Sequence, residues 1–144
     1  MTRTTDRHDI VVGVDPVKDW HLALAWAADE AHLRGVGLRL VLAVPPQHDT
    51  QHVDGTPRHL AQRQTGAEAL RTALAWAHAR QPGITATASL LDAPVETLAN
   101  AAEHALAVVV GRRGRGGYTG MRLGSVVHGL LHRAHCPVIT VPVG

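Results

Sequence analysis

The glycine- and arginine-rich segment at residues 111–125, called the glycine-rich loop below, is the part of this chain best suited to bind an anion. It follows an apolar run at residues 107–110 and precedes a segment with helical spacing at about 125–134. In the order strand, glycine-rich loop and helix, free backbone N–H groups and the positive end of a helix dipole face a bound anion. Because glycine has no Cβ, the backbone of such a loop can approach a phosphate closely. The segment therefore predicts a phosphate site.

The charges and the glycine spacing narrow the kind of phosphate site. No acidic residue interrupts the arginines of the loop, a pattern typical of polyphosphate binding; they are Arg112, Arg113, Arg115 and Arg122. The spacing reads G-x2-G-x9-G-S, at Gly111, Gly114, Gly124 and Ser125. It is neither a P-loop, since no G-K-[ST] follows, nor a dinucleotide motif, which follows a first strand. A plain surface loop is the simpler alternative, but the apolar segments on both sides favour a folded element.

The composition limits the classes of function. With 144 residues and 45% hydrophobic residues, the chain fits one globular domain. A net charge of +2 without a basic stripe gives no reason to expect nucleic acid as a partner. No apolar run approaches the roughly 20 residues of a membrane span, and the N-terminus lacks a segment of signal-peptide type. Cys136 is the single cysteine. We therefore expect a cytoplasmic protein that binds neither nucleic acid nor membrane.

Strand-like and helix-like segments alternate along the whole chain. Expected strands are 9–14, 36–44, 84–90, 107–110 and 138–143; expected helices are 18–34, 60–81, 94–106 and 125–134, with a polar loop at 45–58. This βαβαβαβαβ order predicts a parallel sheet with helices on both faces. Apolar–polar alternation in the third strand is typical of an edge strand, whereas the wholly apolar fourth strand is typical of a central one.

Helical periodicity also predicts which side chains face the core. In the first helix, the large apolar residues share one face; they are Leu22, Trp26 and Leu33. The second helix has an apolar face of five residues, and the third a face that ends near Leu106. The face of the second helix consists of Leu60, Ala67, Leu70, Leu74 and Ala77. The face of the third consists of Val95, Leu98 and Ala102.

The glycine spacing resembles the nucleotide-binding motif of the universal stress protein family. The resemblance also covers Val11–Asp15 near the start and His135–Pro142 near the end, so it extends over almost the whole chain. It implies one domain over residues 8–144, preceded by a disordered tail at 1–7. The implied fold is α/β: a doubly wound, five-stranded parallel sheet in the order 3-2-1-4-5, of the adenine nucleotide alpha-hydrolase-like class. Its ligand crevice lies beyond strands one and four, which end at Asp15 and Gly111.

The resemblance implies ATP as the cofactor, with or without Mg²⁺. Asp15 then contacts the adenosine end, the backbone of Ala43 contacts the adenine ring, and Val110 lines the pocket. Glycines of the motif approach the ribose and phosphates, and the Ser125 hydroxyl adds a donor. The implied nucleotide-binding residues are Asp15, Ala43, Val110, Gly111, Arg113, Gly114, Gly124, Ser125 and Val126.

Four residues depart from the family pattern. One is Leu106, which replaces the Asp often found before the fourth strand and is expected to matter only for capping. Arg112 stands where a small hydroxyl residue is common, so it either crowds the pocket or reaches a phosphate. Pro16 replaces the usual glycine and limits the turn after Asp15. Val127 replaces a frequent Ser or Thr, which removes one phosphate donor.

Other chemistry has weaker support. His128, His132 and His135 share a helix face, and two histidines four residues apart can bind zinc. Apart from Cys136 no further ligand completes the set, so we expect a solvated face and no metal. Cys136 itself is expected to be a small buried hydrophobe. Neither a nucleophilic triad nor a paired carboxylate is evident, so we name no catalytic residue and expect at most slow ATP hydrolysis.

The sequence thus favours a cytoplasmic, ATP-binding universal stress protein that regulates a stress response. The resemblance further implies a homodimer through strand 138–143, whose apolar edge would otherwise be exposed. The alternative is a stress interaction module that acts through dimerisation without nucleotide, against which the intact glycine motif argues. An adenylate-forming enzyme is a third option, for which the chain offers no extra catalytic groups.

Overall fold

The computed structural model describes residues 9–15, 19–43, 57–91, 99–100, 102–112 and 135–142. Within this part of the chain, five strands alternate with two helices. They are β1 (Ile10–Val14), α1 (His21–Arg34), β2 (Leu38–Ala43), α2 (Pro57–Arg80), β3 (Ala86–Leu91), β4 (Ala107–Arg112) and β5 (Val138–Pro142). Residues 99–100 are also helical. The strand bounds differ from the predicted ones by at most two residues.

The strands form one parallel sheet in the order β3-β2-β1-β4-β5, as predicted. The first residue of β1, Ile10, lies between Leu38 of β2 and Ala107 of β4. From β1 the chain adds β2 and β3 on one side and then crosses to place β4 and β5 on the other. The prediction that the third strand is an edge and the fourth is central is therefore confirmed.

Alternation along each strand divides the core into two layers. On one face, Ile10, Val12 and Val14 pack with Leu38, Leu40 and Leu42 against α1 and α2. The other face forms the second core layer. It contains Val11, Val41, Val108 and Val110, which pack against Ala99 and Ala102. Because both faces of a central parallel strand are buried, β1 and the first four residues of β4 are continuous apolar runs in the sequence.

The inward face predicted for α1 is wrong. Leu22, Trp26 and Leu33 are 50%, 38% and 76% exposed. The buried face consists of Ala23, Leu24, Ala27, Ala28 and Ala31. Alanines let the helix backbone lie close to β1, β4 and β5, which α1 crosses, and the larger side chains occupy the outer surface. The periodicity correctly predicted a helix, but the prediction placed the large apolar residues in the core when the small ones lie there.

The face predicted for α2 is correct in its second half only. Leu70 and Ala77 are buried together with Ala73, whereas Leu60 is 54% exposed. The helix begins at Pro57, inside the predicted loop, because proline is well suited to the first helical position. A Cβ on Gly66 would lie 3.0 Å from a methyl group of Leu42, so α2 reaches the strand ends near this glycine. Leu60 lies about 9 Å farther along the axis, past those ends.

Specific contacts fix the two helices relative to each other. Gly35 ends α1 in the left-handed conformation, with φ of 67°, and its N–H donates to the carbonyls of Ala31 and His32. The Arg80 guanidinium donates to both carboxylate oxygens of Asp29, at 2.8 and 2.9 Å. The Gln81 amide donates to the same carboxylate at 2.9 Å. In the part of the chain that the structure describes, no helix is long and apolar enough to span a membrane.

Candidate functional site

The sheet has one point at which the direction of strand addition reverses, between β1 and β4. These strands are parallel neighbours, with Val11 beside Val108 and Val12 beside Val109. In open α/β sheets, ligands bind beyond the carboxyl ends of the strands at such a point, where the flanking loops diverge and leave a crevice. The candidate site is therefore the crevice beyond the ends of β1 and β4.

Asp15 and Gly111 lie at the edge of this crevice. Asp15 directly follows β1 and is exposed, and Gly111 is the exposed penultimate residue of β4. The two are 96 positions apart in the sequence but end adjacent strands. A carboxylate, which accepts hydrogen bonds from hydroxyl groups, thus follows the strand next to the one that leads into the glycine-rich loop. The adjacency of these two strands was predicted from the strand order that the resemblance implied.

Two further predicted residues lie at or near the carboxyl ends of the strands. Ala43 is the last residue of β2, the strand next to β1. Val110 directly precedes Gly111, but it is only 5% exposed and packs with Val11, Val108 and Ala102. Val110 therefore supports the base of the crevice from the core, and Gly111 presents backbone only.

The phosphate half of the predicted site lies outside the described residues. This holds for Arg113, Gly114, Gly124, Ser125 and Val126, and the assignments to these residues stay predictions. The same applies to the departures at Pro16 and Val127, to His128 and His132, and to the side chain of Arg112. The backbone of Arg112 ends β4 beside Pro142 of β5.

Asp19, which the sequence analysis did not single out, is engaged at the start of α1. Its Oδ1 accepts hydrogen bonds from the backbone N–H of His21 at 2.9 Å and from the ring Nδ1 at 2.6 Å. These bonds, the backbone one foremost, hold the pKa of the Asp19 carboxyl below its usual value. The N-cap residue of α1, Trp20, makes no side-chain capping bond, and the preceding Asp19 instead satisfies the free N–H of His21 in the first turn. Asp19 therefore secures the helix start.

Cys136 shows the features of a packed residue. Its side chain lies against the second core layer, and burial raises the pKa of the thiol. A raised pKa reduces the thiolate fraction, and the thiolate is the reactive form. Among the described ranges, no three His, Cys, Asp or Glu side chains converge as metal ligands would.

Comparison with known proteins identifies close relatives of the sequence. A model of the universal stress protein family matches residues 7–142. A universal stress protein from Mycobacterium tuberculosis strain H37Rv is 39% identical over 132 residues, which are 90% of this chain and 44% of that protein. The chain therefore spans about half the length of the curated relatives it matches.

Solved structures share the whole fold. The universal stress protein from Archaeoglobus fulgidus aligns with a TM-score of 0.73 and 27% identity, over 95% of this chain and 98% of that one. The protein from the same organism in complex with dAMP gives 0.70 and 26%, over 96% and 99%. A universal stress protein in complex with cAMP gives 0.68 and 26%, over 94% and 97%. The shared architecture is the adenine nucleotide alpha-hydrolase-like fold.

Proposed function

The chain belongs to the universal stress protein family, and we propose that it binds ATP in the crevice beyond β1 and β4. The observation that carries this proposal is the parallel pairing of β1 with β4, because the strand that Asp15 follows is the neighbour of the strand that leads into the glycine-rich loop. Support comes from the complexes of dAMP and cAMP with proteins of the same fold and about one-quarter identity.

The proposed binding mode assigns one chemical task to each part of the crevice. The Asp15 carboxylate accepts hydrogen bonds from the ribose hydroxyls, and the adenine ring lies against the backbone at Ala43. Gly111 allows the chain to pass close to the ribose. The following glycines, with Arg113 and Ser125, surround the triphosphate, with or without Mg²⁺. The acidic and basic ends of the crevice would fix the direction in which the nucleotide lies.

We further propose that the chain forms a homodimer through strand 138–143. The two edges of the sheet differ in character: β5 presents Val138, Ile139 and Val141, each partly exposed, whereas β3 presents the exposed hydroxyl residues Thr87 and Ser89. An apolar strand edge is stabilised when a second strand pairs with it. Pro142 lacks an N–H and would limit how far the pairing extends.

The proposed biological role is that of a cytoplasmic regulator whose partners or shape depend on nucleotide occupancy. The alternative proposal is an interaction module that acts through the same dimer without nucleotide. The apolar edge of β5 is compatible with this role as well. The two proposals differ in whether nucleotide stabilises the fold.

A ligand test separates them. The purified protein is denatured, and released small molecules are identified by mass spectrometry. Unfolding is then measured with ATP, AMP and cAMP, each over a concentration series. At a hundredfold excess over its dissociation constant, a nucleotide stabilises the native state by about 2.7 kcal/mol. No stabilisation by any of the three at millimolar concentration would exclude the nucleotide proposal and favour the interaction module.

A further inference from the structure

The first turns of α2, residues 57–65, extend past the carboxyl ends of the strands. The helix ends at Arg80, shortly before β3 begins, so its end lies at the amino ends of the parallel strands and its start lies at their carboxyl ends. A Cβ on Gly66 would contact the side chains of Leu42 and Leu90, the penultimate residues of β2 and β3. The turns before Gly66 therefore lie at the end of the sheet where ligands bind in this class of fold.

Gln62 lies on the inner side of these turns. It is one helical turn, about 6 Å, beyond Gly66. Arg80 follows it by eighteen residues, which is about five full turns, so the two residues share one face of α2. Arg80 binds Asp29 of α1, and Ala73, near the same face, is fully buried in the core layer between the helices and the sheet. The side chain of Gln62 is therefore directed towards α1 and over the strand ends.

Burial and packing agree with this direction. Gln62 is partly buried, whereas its neighbours Ala61 and Gln64 are exposed. Along the sheet, α2 covers β2 and β3, and α1 covers β1 and β4. A side chain that points from α2 towards α1 thus points from the end of β2, at Ala43, towards the crevice beyond β1 and β4. Gln62 therefore lies on the same side of the crevice as the backbone proposed to contact adenine.

A glutamine side chain is chemically suited to recognise adenine. Its amide presents a carbonyl acceptor and an NH₂ donor side by side. Adenine presents an amino donor next to a ring-nitrogen acceptor, and glutamine forms two parallel hydrogen bonds with this edge. In a 6-oxopurine such as hypoxanthine an oxygen replaces the amino group, so the same pair of bonds cannot form.

We propose that Gln62 selects the base: its amide forms paired hydrogen bonds with the amino edge of adenine and makes the site prefer ATP to a 6-oxopurine nucleotide. The inference rests on the proposed ATP site and adds to it a residue of α2, outside the glycine-rich loop. A site built to hydrogen-bond an amino group rejects the analogue that lacks it, because its own polar group is then left unpaired. The ribose and phosphates are the same in both nucleotides, so the preference comes from the base alone.

The test compares the binding of ATP and inosine triphosphate (ITP) to the full chain by isothermal titration. The variant is Gln62→Met, which keeps the length and helix preference of the side chain but cannot form the paired bonds. Gln64→Met is the matched control, because Gln64 is exposed and lies more than half a turn around the helix from Gln62. We expect the ratio of ATP affinity to ITP affinity to fall about five- to hundredfold in Gln62→Met and to keep its wild-type value in Gln64→Met.

A second variant, Gln62→Arg, keeps the inference testable if Gln62→Met does not fold. Arginine donates two hydrogen bonds to the paired acceptors of a 6-oxopurine, so the preference should shift towards ITP. The added charge attracts both triphosphates equally and leaves the ratio unaffected. A wild type that binds ATP and ITP equally, or a ratio unchanged by either substitution at Gln62, would overturn the inference and leave the ATP site standing. A wild type that binds neither nucleotide would overturn both.

Discussion

Val12 of β1 lies directly beside Val109 of β4 in parallel register. Asp15 comes three residues after Val12, and Arg112 comes three residues after Val109. The pairing of β1 with β4 ends at these two valines, so the segments that carry Asp15 and Arg112 diverge from neighbouring residues. Two buried valines thus determine which loops meet at the crevice, and the nucleotide proposal depends on this pairing.

The first prediction concerns the carboxylate of Asp15. Replacement by alanine should weaken ATP binding roughly ten- to a hundredfold, the cost of losing hydrogen bonds to a charged group. The fold should be retained, because Asp15 is exposed at the end of β1. Isothermal titration measures the affinity. Glu103→Gln is the matched control. Glu103 precedes β4, so it lies at the opposite end of the strands from Asp15. Equal affinity of Asp15→Ala and the wild type would place the nucleotide elsewhere.

The second prediction concerns the space available to the phosphates. Gly114→Val should abolish ATP binding and leave the melting temperature of the free protein nearly unchanged, because the added side chain fills the space that a phosphate needs. Gly83→Val is a suitable control: nothing lies within 4 Å of a Cβ at Gly83, so this variant should bind normally. Unaltered ATP affinity in Gly114→Val would show that the glycine-rich loop does not contact the phosphates.

The sequence predicted the architecture because buried parallel strands leave a strong signal. The wholly apolar strand at 107–110 and the alternating strand at 84–90 were correctly interpreted as central and edge strands. The positions of Asp15 and Gly111 at the ends of strands were predictable for the same reason, since each directly follows an apolar run; their contact with a nucleotide stays a prediction. Strand order itself came from the family resemblance, because periodicity contains no information on which strands pair.

Contacts between distant residues escaped the sequence analysis. The inner face of α1 consists mostly of alanines, whose small size favours close packing but gives a weak hydrophobic signal. Trp20 and Trp76 meet although 56 positions separate them, and Asp29 binds Arg80 across 51 positions. No local pattern encodes such pairs, because they depend on the angle at which two helices cross the sheet.

The third prediction tests the orientation of α1. Leu24 is fully buried and Leu33 is 76% exposed. Leu24→Ala should therefore lower the free energy of unfolding by about 2–5 kcal/mol, through lost burial and the cavity left behind. Leu33→Ala should stay within about 0.5 kcal/mol of the wild type. Denaturant unfolding measures both. Equal losses, or a larger loss at Leu33, would support the periodicity-based face and contradict the structure.

The fourth prediction concerns the pH dependence of the Asp29–Arg80 pair. Hydrogen bonds from Arg80, and secondarily from Gln81, hold the pKa of the Asp29 carboxyl below its usual value. A lowered pKa stabilises the fold above the unfolded-state value and loses this effect as the pH falls through the folded-state value. Asp29→Asn should thus be less stable than the wild type at pH 7, and the difference should shrink in acid. The pair is partly exposed, so we expect a small loss.

A double-mutant cycle isolates this ion pair from other carboxylates. Asp29→Asn, Arg80→Gln and the double variant are unfolded at pH 7 and again in acid. The coupling energy should be favourable at pH 7 and approach zero once Asp29 is protonated. A coupling that is absent at pH 7, or that persists unchanged in acid, would contradict the charge-based explanation.

The fifth prediction tests the dimer through β5. Thr140 and Ser89 both carry hydroxyl groups, lie beside residues of the second core layer, Val110 and Val41, and occupy opposite edge strands. In a two-fold pair of β5 strands, a lysine at 140 would approach its own symmetry mate, and like charges across a strand pair repel. Thr140→Lys should therefore give a monomer by light scattering, whereas Ser89→Lys should stay dimeric. Dissociation by Ser89→Lys alone would assign the interface to β3, and a monomeric wild type would exclude both edges.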